Sequence, residues 1–475
     1  MSRNSGVLMH VSSLFGDYSS GSFGMEAKYF IDFLSDCGFS YWQVLPFCMV
    51  DEYNSPYKSY SSFSGNLYFV DLESLHEDGL ITNAELAAAR QCGPYLCEFD
   101  RLREERFELL QKASERVSDR APIEAFIESS PYLGAFCEFM ARRAANGDAP
   151  WQEWQTESFD EGILFAWKFI QYTFVKQWQK IKSYANSKGI RLVGDIPIYV
   201  ALDSADVWSA KEQFQLDKNG NPTHVAGVSP DYFSADGQLW GNPLYNWKEM
   251  KKNGYKWWCD RIKYMSTLFD AVRIDHFRAF ASYWSIPAES ESAKAGKWIK
   301  GPGLPLVNAL KQAAGNTEII AEDLGDITPD VYKLVQDSGF PGMKVFQFGF
   351  LSEDNSAHLP HNYPENCIAY SGTHDNNTLL AYLWELDNGT RERMLAYCGH
   401  TGDWKSGLDS IIRTLLASHA KLVMLPIQDI LGYGCDTRLN TPGKANGNWA
   451  YRITKSQLDS IDRNKWRALN KLYYR

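Results

Sequence analysis

Residues 269–280 read FDAVRIDHFRAF, in which Arg273 and Asp275 stand at the end of an apolar run with His276 and Arg278 just beyond. If 270–276 is a strand, alternation puts Ala271, Arg273 and Asp275 on one side and Val272, Ile274 and His276 on the other. Arg273 and Asp275 are then side-by-side neighbours, either a structural ion pair at a strand end or a carboxylate held ionised for chemistry. Two further carboxylates interrupt apolar runs in the same way, Glu322 in IIAEDLG and Asp375 in SGTHDNN. Carboxylates gathered at one mouth repel one another, so one pKa rises while the adjacent arginine keeps another group charged. An acid and a nucleophile in one pocket are the equipment of a retaining glycosidase, whose two carboxyl groups stand about 5 Å apart across the scissile bond. On the pattern alone this is one chemistry among the many that such a scaffold hosts.

The elements that must bring these residues together are eight short apolar runs. They are GVLMHVSSL, YWQVLPF, IRLVGDIPIYV, DAVRIDHF, EIIAEDLG, MKVFQFGF, CIAYSGTHD and LVMLPIQDIL. Helical periodicity fills most intervals, as in MEAKYFIDFLSDCG and DWKSGLDSIIRTLLASHA, the alternation of parallel β/α units covered on both faces. Polar residues collect at the carboxyl ends of the runs, which fits a (β/α)8 TIM barrel better than an open doubly wound sheet. Such a barrel needs about 250 residues, so we read 1–475 as one catalytic domain with insertions on the carboxyl-end face. One is a mainly helical subdomain over 74–185, where Thr82 and Glu85 form a capping box, Gly93 is placed to end that helix, and Phe107, Leu110, Ala113 and Val117 share a helix face. The other spans 201–258, and its stretch from 217 to 247 shows neither period, which marks a functional loop.

The chain has 475 residues, 44% of them hydrophobic, and a formal net charge of −10. Its isoelectric point near 5.5 speaks against nucleic acid or an anionic membrane as partner. No run is long enough to span a bilayer and the apolar start is too short for a secretory signal, so a cytoplasmic protein is expected. The nine cysteines are odd in number and scattered, which points to reduced core residues and to no structural metal. GDYSSGSFG lacks the features of a P-loop or a dinucleotide fingerprint, and DKNGNP puts Pro222 where a calcium loop requires glycine. No cofactor is expected. Tyr232, Phe233, Trp240, Tyr245 and Trp247 crowd the long loop, and Tyr57, Tyr60 and Phe63 sit among small polar residues. Aromatic faces beside Asn and Ser suit the apolar faces and hydroxyls of sugar rings.

The chain also resembles the 4-α-glucanotransferases (amylomaltase or disproportionating enzyme) of glycoside hydrolase family 77. The resemblance runs in order from HVSSLFGDYSSGSFG through NSPYKSYSSFSGN, GDIPIYV, VAGVSPDYFSADGQLWGNPLYNW, RIDHFRAF, AEDLG and GTHDNNT to RLNTPGKANGNWAYR. It implies transfer of α-1,4-glucan segments from maltodextrins to glucose or another glucan, with Asp275 as nucleophile, Glu322 as general acid and base, and Asp375 holding the reacting sugar's hydroxyls; the alternative on the same machinery is an α-1,4-glucan hydrolase of the amylase type. It further implies supporting roles for Arg273, His374 and Asp195, and glucan contacts for Tyr57, Asp231, Trp240 and Asn242. Leu439, Ala450 and Tyr451 depart from the family's usual residues, which touches local packing only.

Overall fold

The computed structural model describes residues 3–230, 235–325 and 327–475. All eight apolar runs form strands of one parallel sheet. These are β1 (Asn4–Leu8), β2 (Tyr41–Gln43), β3 (Arg191–Ile196), β6 (Ala271–Ile274), β9 (Glu318–Ala321), β10 (Gly342–Val345), β11 (Cys367–Tyr370) and β12 (Leu422–Pro426). The order is β10-β11-β12-β1-β2-β3-β6-β9, so each strand lies beside its neighbour in the series. Gly194 on β3 is dictated by close approach, since a Cβ there would lie 2.3 Å from the ring of Phe269.

The circle closes between β9 and β10 with few main-chain bonds. Ala321 N–H donates to Pro341 O at 2.9 Å, and the Asp323 carboxylate takes the Met343 N–H at 2.6 Å. Lys344 Nζ stands 3.8 Å from the other Asp323 oxygen. A side chain thus substitutes for a ladder carbonyl, and burial raises the Asp323 pKa against the pull of Lys344. Asp323→Ala leaves a buried N–H unpaired and is expected to cost about 1–3 kcal/mol of stability. Asp323→Asn keeps an acceptor and should cost less; equal denaturation midpoints for the alanine variant and the parent would contradict this closure.

Helices pack outside the sheet. Met25–Cys37 ends on Gly38 in the left-handed region at φ +79°, and Glu161–Ser187 starts at Asp160, whose side chain accepts from Gly162 N and Ile163 N. From the latter helix Trp178 reaches the core, donates to Leu268 O at 2.8 Å and packs on Phe47 with ring centroids 4.6 Å apart. Between β2 and β3 lie Leu72–Glu77, Asn83–Ala88, Phe99–Glu115, Ala121–Glu128 and Pro131–Ala145 before that long helix. The Thr82/Glu85 capping box is present. The helix it opens stops at Ala88, short of Gly93, because Arg101 reaches over to bond the carbonyls of Ala88 and Arg90.

The stretch expected to lack regular structure contributes β4 (His224–Val228) and β5 (Gln238–Pro243). They join β7 (Ser282–Pro287) and β8 (Lys297–Lys300) in an antiparallel sheet of order β5-β4-β7-β8. Half of this sheet comes from beyond β6, so its pairing is non-local and leaves little period in the sequence. Among the described residues no helix is long and apolar enough to cross a membrane, and no three metal-ligating side chains cluster.

Candidate active site

Three of the barrel strands deliver the carboxylates that the sequence singles out. The ladder runs β3-β6-β9, pairing Asp195 with Arg273 and Arg273 with Ile320, so Asp195 and Arg273 lie abreast. Arg273 Nη1 contacts both oxygens of Asp195 at 2.7 and 2.9 Å, and Nη2 donates to Asp275 Oδ1 at 2.7 Å. The same guanidinium touches Met343 Sδ through Nε at 3.3 Å. Burial alone would lower the Arg273 pKa, but the Asp195 and Asp275 carboxylates outweigh it and hold the cation well above its ordinary value. Burial raises the Asp195 pKa against the pull of Arg273, and its carboxylate accepts a further bond from Tyr57 OH at 2.7 Å.

β6 ends at Ile274, one residue before Asp275. Asp275 N–H bonds Ile196 O at 2.9 Å, and the chain then turns through His276 in the left-handed region at φ +48°. That turn aims the His276 N–H at Glu322 Oε2, 2.6 Å away, while Leu324 N–H donates to Oε1 at 2.8 Å. Glu322 follows β9 and is buried. Burial first, then the charge of Asp275, raises its pKa well above the carboxyl range, against Arg273 and the two N–H donors. Asp275 keeps 28% of its side chain exposed. A shielded acid therefore stands beside an accessible carboxylate held by a cation.

Asp375 sits in the loop after β11 with 47% of its side chain exposed. Its Oδ1 accepts from Asn440 Nδ2 at 2.6 Å and lies 3.3 Å from His374 Nε2. His374 stacks on Tyr57 with centroids 5.1 Å apart and planes at 13°, and Trp449 packs against both rings at 5.8 Å. Tyr57 thereby spans the Asp195 and His374 sides of the mouth. His10 next to this group is held neutral, its pKa pushed to about 3 by burial and then by His374.

Trp240, on β5, is 37% exposed and stands edge-on to His276 at 5.0 Å and to Tyr199 at 6.2 Å. Asn242 gives one amide N–H to Val200 O at 2.8 Å. Both line a cleft with Tyr60, Arg143 and Asn221. Asp231 falls outside the described residues. Reading the sequence residue by residue missed Asn440, Arg438, Trp449 and Tyr199. Their only trace in the sequence is the RLNTPGKANGNWAYR and GDIPIYV segments of the family resemblance. Leu439 and Tyr451 are buried, and Ala450 lends its carbonyl to Cys97 N–H at 2.7 Å, so all three departures sit in packing.

Fold and site together define a (β/α)8 enzyme equipped for glycosyl chemistry. The chain belongs to the 4-alpha-glucanotransferase family, glycoside hydrolase family 77, whose model matches residues 9–458. A 4-alpha-glucanotransferase of Streptococcus pneumoniae is 43% identical, covering 96% of this chain and 94% of its own. One from Aquifex aeolicus is 40% identical, covering 95% of each. Among solved structures, the amylomaltase from Streptococcus agalactiae in complex with acarbose superposes with a TM-score of 0.94 at 36% identity, covering 100% of this chain and 99% of that one. The activity assigned is therefore 4-α-glucan transfer, and hydrolysis of the amylase type is not favoured.

Proposed function

We propose that the chain transfers α-1,4-glucan segments from maltodextrin donors to the 4-hydroxyl of glucose or another glucan by double displacement. Asp275 attacks the anomeric carbon as Glu322 protonates the departing glycosidic oxygen, leaving a β-linked glycosyl ester on Asp275. Glu322, now a carboxylate, takes the proton of the acceptor hydroxyl as that oxygen displaces Asp275. Two inversions retain the α-linkage. The observation carrying this reading is the shared frame of β6 and β9, in which Arg273 holds Asp275 and the next residue's N–H holds Glu322. Because Arg273 occupies Asp275 Oδ1, Oδ2 is the oxygen placed to attack.

Asp375 binds hydroxyls of the reacting ring and offsets the positive charge that develops on it. Arg273 and Asp195 set the nucleophile, and His374 and Tyr57 flank the ring. Trp240 and Asn242, with Asp231, contact the glucan. The edge-on packing of Trp240 over His276 supports an aromatic cover that excludes water and favours a sugar acceptor. The acarbose bound by the related amylomaltase is a sugar-like ligand consistent with this substrate class. We treat 74–185 and 201–258 as insertions on one catalytic domain. We place the protein in the cytoplasm, a reading supported by nine cysteines that are all unpaired.

Incubation with maltotriose tests transfer against hydrolysis. Transfer gives glucose and longer chains with no net gain in reducing ends, whereas a steady rise in reducing ends would overturn the proposal.

A further inference from the structure

Asp375 lies on a loop, is half exposed, and must nevertheless present one oxygen to a sugar hydroxyl in a fixed direction. A carboxylate so placed samples several rotamers unless something holds it, and a misplacement of about 1 Å at a reacting centre can cost about 100-fold in rate. The hold comes from a segment 65 residues further along the chain. Asn440 Nδ2 donates to Asp375 Oδ1 at 2.6 Å, and Asn440 N–H donates to His374 O at 3.2 Å. Arg438 Nη2 donates to Asp375 O at 2.6 Å while its Nε donates to Asn440 O at 2.7 Å. Two residues of the C-terminal segment thus grip both the backbone and the side chain of the His374–Asp375 pair.

The grip is itself anchored. Gln428 Nε2, beyond β12, donates to Thr437 O at 3.1 Å, and Thr441 N–H donates to Asn448 Oδ1 at 2.9 Å. Trp449 N–H bonds Leu439 O at 2.6 Å, and the Trp449 ring closes over His374 and Tyr57. Asp375's own loop supplies a long bond from Asp375 N–H to Thr373 Oγ1 at 3.3 Å and the approach of His374 Nε2 to Oδ1 at 3.3 Å, both longer than the Asn440 contact.

We propose that Asn440 is a positioning residue for the transfer reaction: its side-chain amide fixes Asp375 Oδ1 so that Oδ2 faces the sugar hydroxyls. Arg438 fixes the backbone from which that carboxylate hangs. The inference rests on the reading of Asp375 as the hydroxyl-binding carboxylate. Among the described residues, the charged and titratable groups around the pair are His374 and Arg438 in direct contact, Tyr57 stacked on His374, His10 behind it, and Asp195, which bonds Tyr57 and feels the charge of His374.

The test is the pH profile of kcat for maltotriose disproportionation in Asn440→Asp, with Asn440→Ala and Asp375→Asn alongside. Asn440→Asp sets two carboxyl groups against each other where an amide had donated, which raises the pKa of the pair. Below that raised value the shared proton restores a donor, so the variant's kcat relative to the parent should climb at least about 10-fold as pH falls from about 8 to about 5.5. Asn440→Ala should lose about 10- to 100-fold in kcat at every pH, with a smaller change in KM. Recovery at low pH also shows that the aspartate variant is folded. A flat ratio for Asn440→Asp, or an Asn440→Ala kcat within about twofold of the parent, overturns the positioning role when Asp375→Asn is inactive. An Asp375→Asn variant as active as the parent instead overturns the underlying reading of Asp375.

Discussion

Asp275→Asn is expected to lower kcat/KM for maltotriose by about 10⁴-fold or more, the scale seen when a covalent nucleophile is removed from a group that acts as a unit. The carboxamide nearly matches the carboxylate in shape, and its oxygen can still accept from Arg273 Nη2. The denaturation midpoint should therefore stay close to the parent's while turnover vanishes, separating chemistry from folding. Arg273 also retains both contacts to Asp195, so the cation is not stranded. A variant with near-parental turnover would remove Asp275 from the nucleophile's role.

Glu322→Gln has the second large effect, and it depends on the donor. With maltotriose the leaving group must be protonated, and loss of the acid should cost about 10²- to 10⁴-fold. With a glycosyl fluoride, whose leaving group departs without a proton, the first step should proceed and the ester should accumulate because nothing deprotonates the acceptor. The pH dependence follows from the direction of the Glu322 shift. Burial and Asp275 raise its pKa, so the acid form persists above the usual carboxyl range and is lost as pH rises through the raised value. The parent's kcat/KM for maltotriose should accordingly fall on the alkaline side. The fluoride-driven first step in Glu322→Gln should lack that limb, and an unchanged alkaline limb there would separate it from Glu322.

Much of this arrangement was legible in the sequence because it rests on local periods. The eight runs are buried strands, and alternation placed Arg273 beside Asp275, where a 2.7 Å ion pair stands. Polar residues breaking those runs marked Asp275, Glu322 and Asp375, because a strand that leaves a barrel core meets the mouth there. The Thr82 capping box spans four residues and was equally readable.

What escaped notice depends on partners distant in sequence. β4 and β5 look irregular until β7 and β8 pair with them. Asn440 and Asp375 are 65 residues apart and meet only in the folded chain. The seam at Asp323 could not be read, since nothing in EIIAEDLG distinguishes Glu322, the proposed acid, from the adjacent carboxylate that closes the sheet. The left-handed turn at His276 was hidden for a related reason. Strand parity predicts where side chains point, whereas at His276 the backbone N–H makes the contact to Glu322.

Transfer through Asp275 requires a covalent glycosyl-enzyme made with the help of Glu322. It is tested most directly by incubating Glu322→Gln with an α-maltosyl fluoride, digesting at acid pH and locating the added mass. A glycosyl ester is expected on Asp275, within the peptide containing IDHFR. Consumption of the fluoride with the label on Asp375 or another carboxylate, or with no ester formed at all, would contradict it.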